Sequence, residues 1–323
     1  MYKRFFGLRA NPFNMNPDPR YLFLTRHTEE ALACLTYGIQ SRKGFVLLTG
    51  EVGTGKTTLV NKLLEWLRLQ HIATAFVFNP RMDVPEFLEY MLSDFGIQAP
   101  ATGKSQTLRR LYNWLLDRHR AGETSVLIVD EAQNLTDELL EEIRLLTNLE
   151  TFTEKLLQVV LVGQPELEQK MKQPNLRQLR QRLVLQAKTH ALSLEEARSY
   201  IAERLRIAGG NGKPIFSPEA VTAIHRYSNG IPRVMNLICE HCLVSAFVDE
   251  QKMVSASVVD AIARDFELRE DDLTPDPELD SPERIDLMDA LKTLSNLAGQ
   301  LREAEGEQTA KVGKHSSSEK PKN

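Results

Sequence analysis

Residues 50–57 read GEVGTGKT, a G-x-x-x-x-G-K-T spacing suited to holding phosphate. Glycines let the backbone turn sharply enough for several N–H groups to converge on one point. A helix starting at the end of the loop adds the positive end of its dipole. Gly50, Glu51, Val52, Gly53, Thr54 and Gly55 supply that backbone, with Thr58 in the first helical turn. The Lys56 ammonium is placed to reach terminal phosphates and the Thr57 hydroxyl to ligate Mg²⁺. A second pair completes the chemistry: Asp130-Glu131, adjacent carboxylates that close an apolar run. Asp130 is expected to hold the Mg²⁺ shell, and Glu131 to orient and polarise an attacking water. Phosphoryl transfer needs this division because its catalysis is mostly positioning and charge neutralisation. The ligand implied is a nucleoside triphosphate. The glutamate beside the aspartate favours turnover over passive sensing.

These groups need rigid elements behind them, and the surrounding sequence supplies candidates. FVLLT (45–49) and SVLIV (125–129) are short apolar runs of the buried-strand kind, each ending at one of the two motifs. After the loop, Leu59, Leu63, Leu64 and Leu67 fall at helical spacing. Strands are further predicted at 74–78, at 157–162 before Gly163-Gln164-Pro165, and at 184–187. Helices are predicted at 28–42, over PEFLEYMLSDFGI, at 104–120 and at 136–149. Such alternation implies an α/β class with a mostly parallel sheet covered on both faces. From Ser193 the strand signal stops. Ser193 with Glu196 has capping-box spacing, Gly209-Gly210 is a plausible helix stop, and Ser217-Pro218 opens another helix. Further helices at 232–247 and 255–266 complete a small all-α domain.

The expected division is an N-terminal nucleotide-pocket segment (1–43), an α/β domain (44–190) and a helical lid (191–268). An acidic, proline-bearing linker (269–283), an amphipathic helix (284–305) and a disordered polar tail (306–323) follow. A chain of 323 residues with 42% hydrophobic content can bury cores for two domains. Its net charge of −4 does not by itself point to nucleic acid. Three cysteines form no disulfide framework and suit a reducing cytosol. No signal-peptide-like stretch opens the chain, and no run of apolar residues is long enough to span a bilayer.

An α/β nucleotide domain followed by a small helical domain resembles the AAA+ ATPases. The resemblance is specific to the general secretion pathway protein A group (ExeA-like ATPases). It is carried by FFGLRANPFNMNPDPRYLFL, GFVLLTGEVGTGKTT, LIVDEAQNL, VVLVGQPEL, LRQLRQRL and NGIPRVMNLIC, over residues 2–265. It implies ATP and Mg²⁺ as cofactors, ATP hydrolysis, and oligomerisation that drives assembly or remodelling of an envelope secretion or export system. It places the arginine finger, which completes a neighbouring subunit's site, at Arg182 first and Arg180 second. The plain alternative there is a solvated basic helix face. It places the sensor 2 arginine at Arg233, against a capping or surface role. Gln164 stands at sensor 1, where many members have Asn or Thr. It brings Phe13, Pro17 and residues 21–27 near the base. The best-known members continue into a transmembrane helix and a periplasmic domain, neither of which is expected in this sequence. Similar soluble ATPases are associated with polysaccharide export. The implied partners are further copies of the chain and an export-system or membrane-associated protein. The implied location is cytoplasmic or peripheral at the inner membrane.

A second class shares the same motifs: AAA+ ATPases of transposition target selection and origin recognition, which assemble on DNA. Arg109, Arg110, Lys170, Lys172, Arg177, Arg180 and Arg182 are the basic residues available for phosphate contacts. Cys239 and Cys242 form a C-x-x-C, but within an apolar helical stretch and without a second cluster they are expected to be packing residues.

Overall fold

The computed structural model describes residues 2–78, 80–98 and 103–268, all within one compact unit, Met1–Leu273. The linker, amphipathic helix and tail expected beyond residue 268 lie outside the described residues. Five strands form one sheet: β1 (Phe45–Thr49), β2 (Ala73–Val77), β3 (Ser125–Val129), β4 (Leu157–Gly163) and β5 (Leu185–Lys188). The order is β2-β3-β4-β1-β5, with every neighbouring pair parallel. β1 and β3 therefore both flank β4, and their C-terminal ends, where the two motifs begin, lie on the same edge of the sheet.

The inner strands read as unbroken apolar runs because both faces are covered. Phe45 and Leu47 of β1, Leu127 and Val129 of β3, and Val159 and Leu161 of β4 point into one core. Helices α4 (Val84–Asp94), α5 (Lys104–Arg120) and α6 (Asp137–Leu146) cover it. Val46, Leu48, Val126, Ile128, Val160 and Val162 point the other way. There they meet α2 (Arg26–Gln40) and α3 (Lys56–Leu69) through Leu35, Ile39, Leu59 and Leu63. Thr25 caps α2, so that helix starts before the expected residue 28. The observed β2 and β5 are each displaced by one residue from the expected strands. Two short helices, α7 (Pro165–Met171) and α8 (Arg177–Arg180), stand between β4 and β5.

Beyond β5 the chain is helical: α9 (Leu194–Ile207), α10 (Pro218–Ser228), α11 (Pro232–Val248) and α12 (Ala256–Asp265). Ser193 and Glu196 make the reciprocal capping box that opens α9. These helices share a core that also takes in Phe6, Leu8 and Phe13 from the N-terminus. The short helix α1 (Tyr2–Phe6) lies against α11, with the Tyr2 hydroxyl donating to Glu240 at 2.9 Å. The N-terminus is thus packed into the helical part, while α2 belongs to the sheet. Residues 14–23 join the two as a strap. Cys239 and Cys242 are fully buried in the helical core, and burial pushes the Cys242 thiol up to about 12. Among the described residues, no helix is long and apolar enough to cross a membrane.

Candidate nucleotide-binding site

The loop after β1 enters α3 through Gly55, whose backbone is left-handed (φ 98°) and which offers no side chain as a cap. The first N–H groups of α3 are therefore left to a ligand. They face a cavity of about 370 Å³ lined by the loop from Val52 onward, Thr57, Glu131 and Gln164. The far wall comes from the strap (Asn16, Pro17, Tyr21) and from the helical part (Tyr200, Arg204, Arg233). Phosphates at the loop leave this far half of the cavity for ribose and base.

Lys56 is buried and donates to the carbonyls of Gly50 at 2.7 Å and Glu51 at 2.9 Å. Burial holds its pKa below the usual lysine value, against the pull of Glu131 and Asp130. These loop carbonyls are the partners phosphate oxygens have to replace. The Thr57 hydroxyl donates to Asp130 Oδ2 at 3.4 Å. Asp130 is buried at the end of β3, its backbone N–H bonded to Val77 O at 2.8 Å. Burial raises its pKa above the ordinary carboxylate value, opposed by the N–H of Glu131 at 2.9 Å from Oδ1. A hydroxyl and a carboxylate meeting beside a phosphate cradle form an oxygen donor set suited to Mg²⁺, which takes one or two protein oxygens and completes its shell with phosphates and water. Glu131, in a left-handed backbone (φ 52°), turns its carboxylate to the cavity, where it accepts from Gln133 and Gln164.

The structure brings Val52, Gly53, Thr54, Gly55, Lys56, Thr57, Thr58, Glu131, Gln164 and Arg233 to one cavity. Gly50 and Glu51 lie behind it, presenting carbonyls to Lys56. Arg233 is seated at the start of α11, its backbone N–H bonded to Gly53 O at 3.2 Å. A Cβ on Gly53 (φ +84°) would come within 2.8 Å of Arg233 Cβ, so only glycine lets the helical part close on the loop. Arg180 and Arg182 do not line this cavity. Arg180 is exposed on α8, and Arg182 donates to Thr147 Oγ1 at 3.1 Å. Phe13, expected near the base, is instead fully buried against Phe216, with ring centroids 5.9 Å apart. Pro17, Tyr21, Leu22 and Phe23 do reach the cavity.

The sequence reading missed Tyr200, Arg204 and Asn236. The Arg204 guanidinium is buried with its Nε donating to Pro12 O at 2.5 Å and its Nη1 to the Tyr200 hydroxyl at 2.7 Å. It lies 4.6 Å from the Tyr21 ring centroid. The Tyr200 hydroxyl in turn donates to Asn236 Oδ1 at 2.9 Å. One signal was available: Ala197, Tyr200, Ile201 and Arg204 follow i, i+3, i+4, i+7, which puts an arginine on the buried stripe of α9.

A family model described as an AAA domain matches residues 39–171, from the end of α2 through α7. The parallel sheet, its strand order and the loop geometry agree with that match. The chain is an AAA+ P-loop protein. It is 46% identical over 251 residues to general secretion pathway protein A of Aeromonas hydrophila, across 76% of this chain. It spans only 45% of that relative's length. The fold is also that of the Aeropyrum pernix ORC2 protein in its ADPNP-ADP complexes, at a TM-score of 0.58 and 16% identity over 79% of this chain and 71% of that one. Drosophila ORC bound to DNA superposes at a TM-score of 0.56 and 20% identity, over 76% of this chain and 61% of that one. At such identities the structural likeness speaks for the fold alone. The AAA+ P-loop domain is a nucleotide-binding one.

Proposed function

We propose that this chain is a Mg²⁺-dependent ATPase whose hydrolysis is completed by a neighbouring copy, and that it serves an envelope secretion or export system. One observation carries the enzymatic part. Lys56 and Thr57 from the loop after β1, and Asp130 and Glu131 from the end of β3, converge beside one cavity. Lys56 and the first-turn N–H groups of α3 bind and orient the phosphates. Thr57 and Asp130 hold Mg²⁺, which when bound neutralises charge on the terminal phosphates. Glu131 orients the attacking water and takes its proton as the new oxygen–phosphorus bond forms and the bond to the ADP oxygen breaks. Arg233, on the helix that closes against Gly53, is placed to sense the phosphates and to tie the helical part to loop occupancy. The preference for ATP is taken from the resemblance to the AAA+ ATPases, together with the strap and helical wall that leave room for a base.

Oligomerisation is taken from the AAA+ resemblance, and the position of the candidate fingers is compatible with it. Arg180 and Arg182 do not line the cavity of their own chain, so a role in hydrolysis requires a second copy. The secretion assignment rests on the likeness to general secretion pathway protein A; on this reading the protein works at the cytoplasmic side of the inner membrane. Against DNA, two of the candidate basic residues are already engaged: Lys170 donates to Leu135 O, and Arg110 to Gln98 O at 2.9 Å. The test is the steady-state ATPase rate against protein concentration, with and without double-stranded DNA at about physiological salt. A specific rate that rises with concentration and ignores DNA supports this reading. Strong stimulation by DNA transfers the protein to the DNA-associated class.

A further inference from the structure

Gln133 lies in the single 3-10 turn (Ala132–Asn134) that follows the two carboxylates. It does not line the cavity, yet both ends of its side-chain amide are used. Nε2 donates to Glu131 Oε2 at 2.6 Å, and Oε1 accepts the backbone N–H of Gln164 at 3.2 Å. The Gln164 amide donates to the same Glu131 oxygen at 3.4 Å. One carboxylate oxygen thus takes a short bond from Gln133 and a long one from Gln164, which leaves Oε1 as the acceptor for a water proton. A Cβ on Gly163 would lie 2.9 Å from Gln133 Oε1 and 2.8 Å from Leu167, so the glycine ending β4 makes room for this contact. Glu131 is also held in a left-handed backbone without being glycine (φ 52°), a conformation that persists where its surroundings fix it.

We propose that Gln133 is a positioning residue for hydrolysis, clamping the Glu131 carboxylate to the end of β4 so that Glu131 and Gln164 respond to the nucleotide as one unit. The proposal rests on the reading of Glu131 as the group that orients water. Geometry decides its expected size. Losing the clamp frees Glu131 to rotate, and a misplacement of about 1 Å at a reacting group costs on the order of a hundredfold in rate. Nucleotide binding should be spared because Gln133 lies outside the cavity.

The test compares Gln133→Ala and Gln133→Met, the second keeping side-chain length without donor or acceptor. The readouts are kcat, ATP affinity in the presence of Mg²⁺, and Tm. The expected result is a fall in kcat of about tenfold to a hundredfold with ATP affinity unchanged. In a Glu131→Gln background neither substitution should lower the rate further, because the clamp then has nothing to position. Unchanged kcat in both variants overturns the proposal. So does faster hydrolysis, which would make Gln133 a restraint, or a loss of affinity in step with Tm, which would make it part of the turn's scaffold. If Glu131→Gln itself hydrolyses ATP at the wild-type rate, the reading of Glu131 fails as well. An inactive Glu131→Gln beside fully active Gln133 variants would sink the clamp alone.

Discussion

Replacing Arg204 with methionine should separate recognition of the nucleoside from recognition of its phosphates. The guanidinium makes two short bonds, to Pro12 O at 2.5 Å and the Tyr200 hydroxyl at 2.7 Å, and a long one to Asn14 O at 3.4 Å. Hydrogen bonds from a charged donor contribute about 1.5–3 kcal/mol each, and the long one little. The rings of Tyr21 and Tyr200, with centroids 4.6 and 5.4 Å away, add about 0.5–1 kcal/mol each. Against this, methionine removes the cost of a buried cation whose direct hydrogen-bond partners are carbonyls and a phenol rather than a carboxylate. The strap should loosen by about 1–3 kcal/mol net, while Phe6, Leu8 and Phe13 keep its start buried in the helical core. If ATP must repay that ordering, its affinity falls about fivefold to a hundredfold, at roughly 1.4 kcal/mol per factor of ten. Calorimetric titration with ATP and with inorganic tripolyphosphate, both with Mg²⁺, reads this directly. ATP should weaken and tripolyphosphate should not. Equal weakening of both ligands, or of neither, would refute the argument that Arg204 organises the base end.

Other outcomes follow from the same geometry. Lys56→Ala should raise the Kd for Mg²⁺·ATP at least a hundredfold, about 3 kcal/mol, in the same titration. Asp130→Asn should raise the Tm of the nucleotide-free protein at neutral pH while abolishing the Mg²⁺ dependence of ATP binding. The sign comes from burial, which raises the folded pKa of Asp130 above its ordinary 3.8. Its contribution to stability is then largest below 3.8 and is lost as pH rises through the raised value. The gain from asparagine should therefore vanish in thermal scans near pH 3 to 4. Arg182→Ala should leave ATP affinity intact and lower the specific ATPase rate at high protein concentration on the order of a hundredfold or more. An unchanged rate would move the finger to Arg180 or remove it.

How much of this was legible in the sequence depends on how local each signal is. The loop at 50–57 and the strands before it and before Asp130 were readable because a phosphate cradle and a strand buried on both faces each impose a strict local pattern. Helix α7, of 7 residues, is too short to show a hydrophobic period. The expected base-pocket residues split by role. Pro17 and Tyr21 face the cavity, whereas Phe13 turns into the helical core, a choice that depends on Phe216 far along the chain. The Glu131–Gln133–Gln164 cluster was invisible for the same reason, since its closing bond spans two strands. Arg204 was the one missed residue with a local cue, a charged side chain at an apolar stripe position.

The most direct measurement is phosphate release from Mg²⁺·ATP by the wild-type chain and by Glu131→Gln, purified in parallel, with ATP binding measured on both. The account predicts release by the wild type that stops when Mg²⁺ is chelated, and a Glu131→Gln protein that binds ATP as tightly but releases phosphate at least a hundredfold more slowly. Equal release by the two proteins, or release that persists without Mg²⁺, would contradict it.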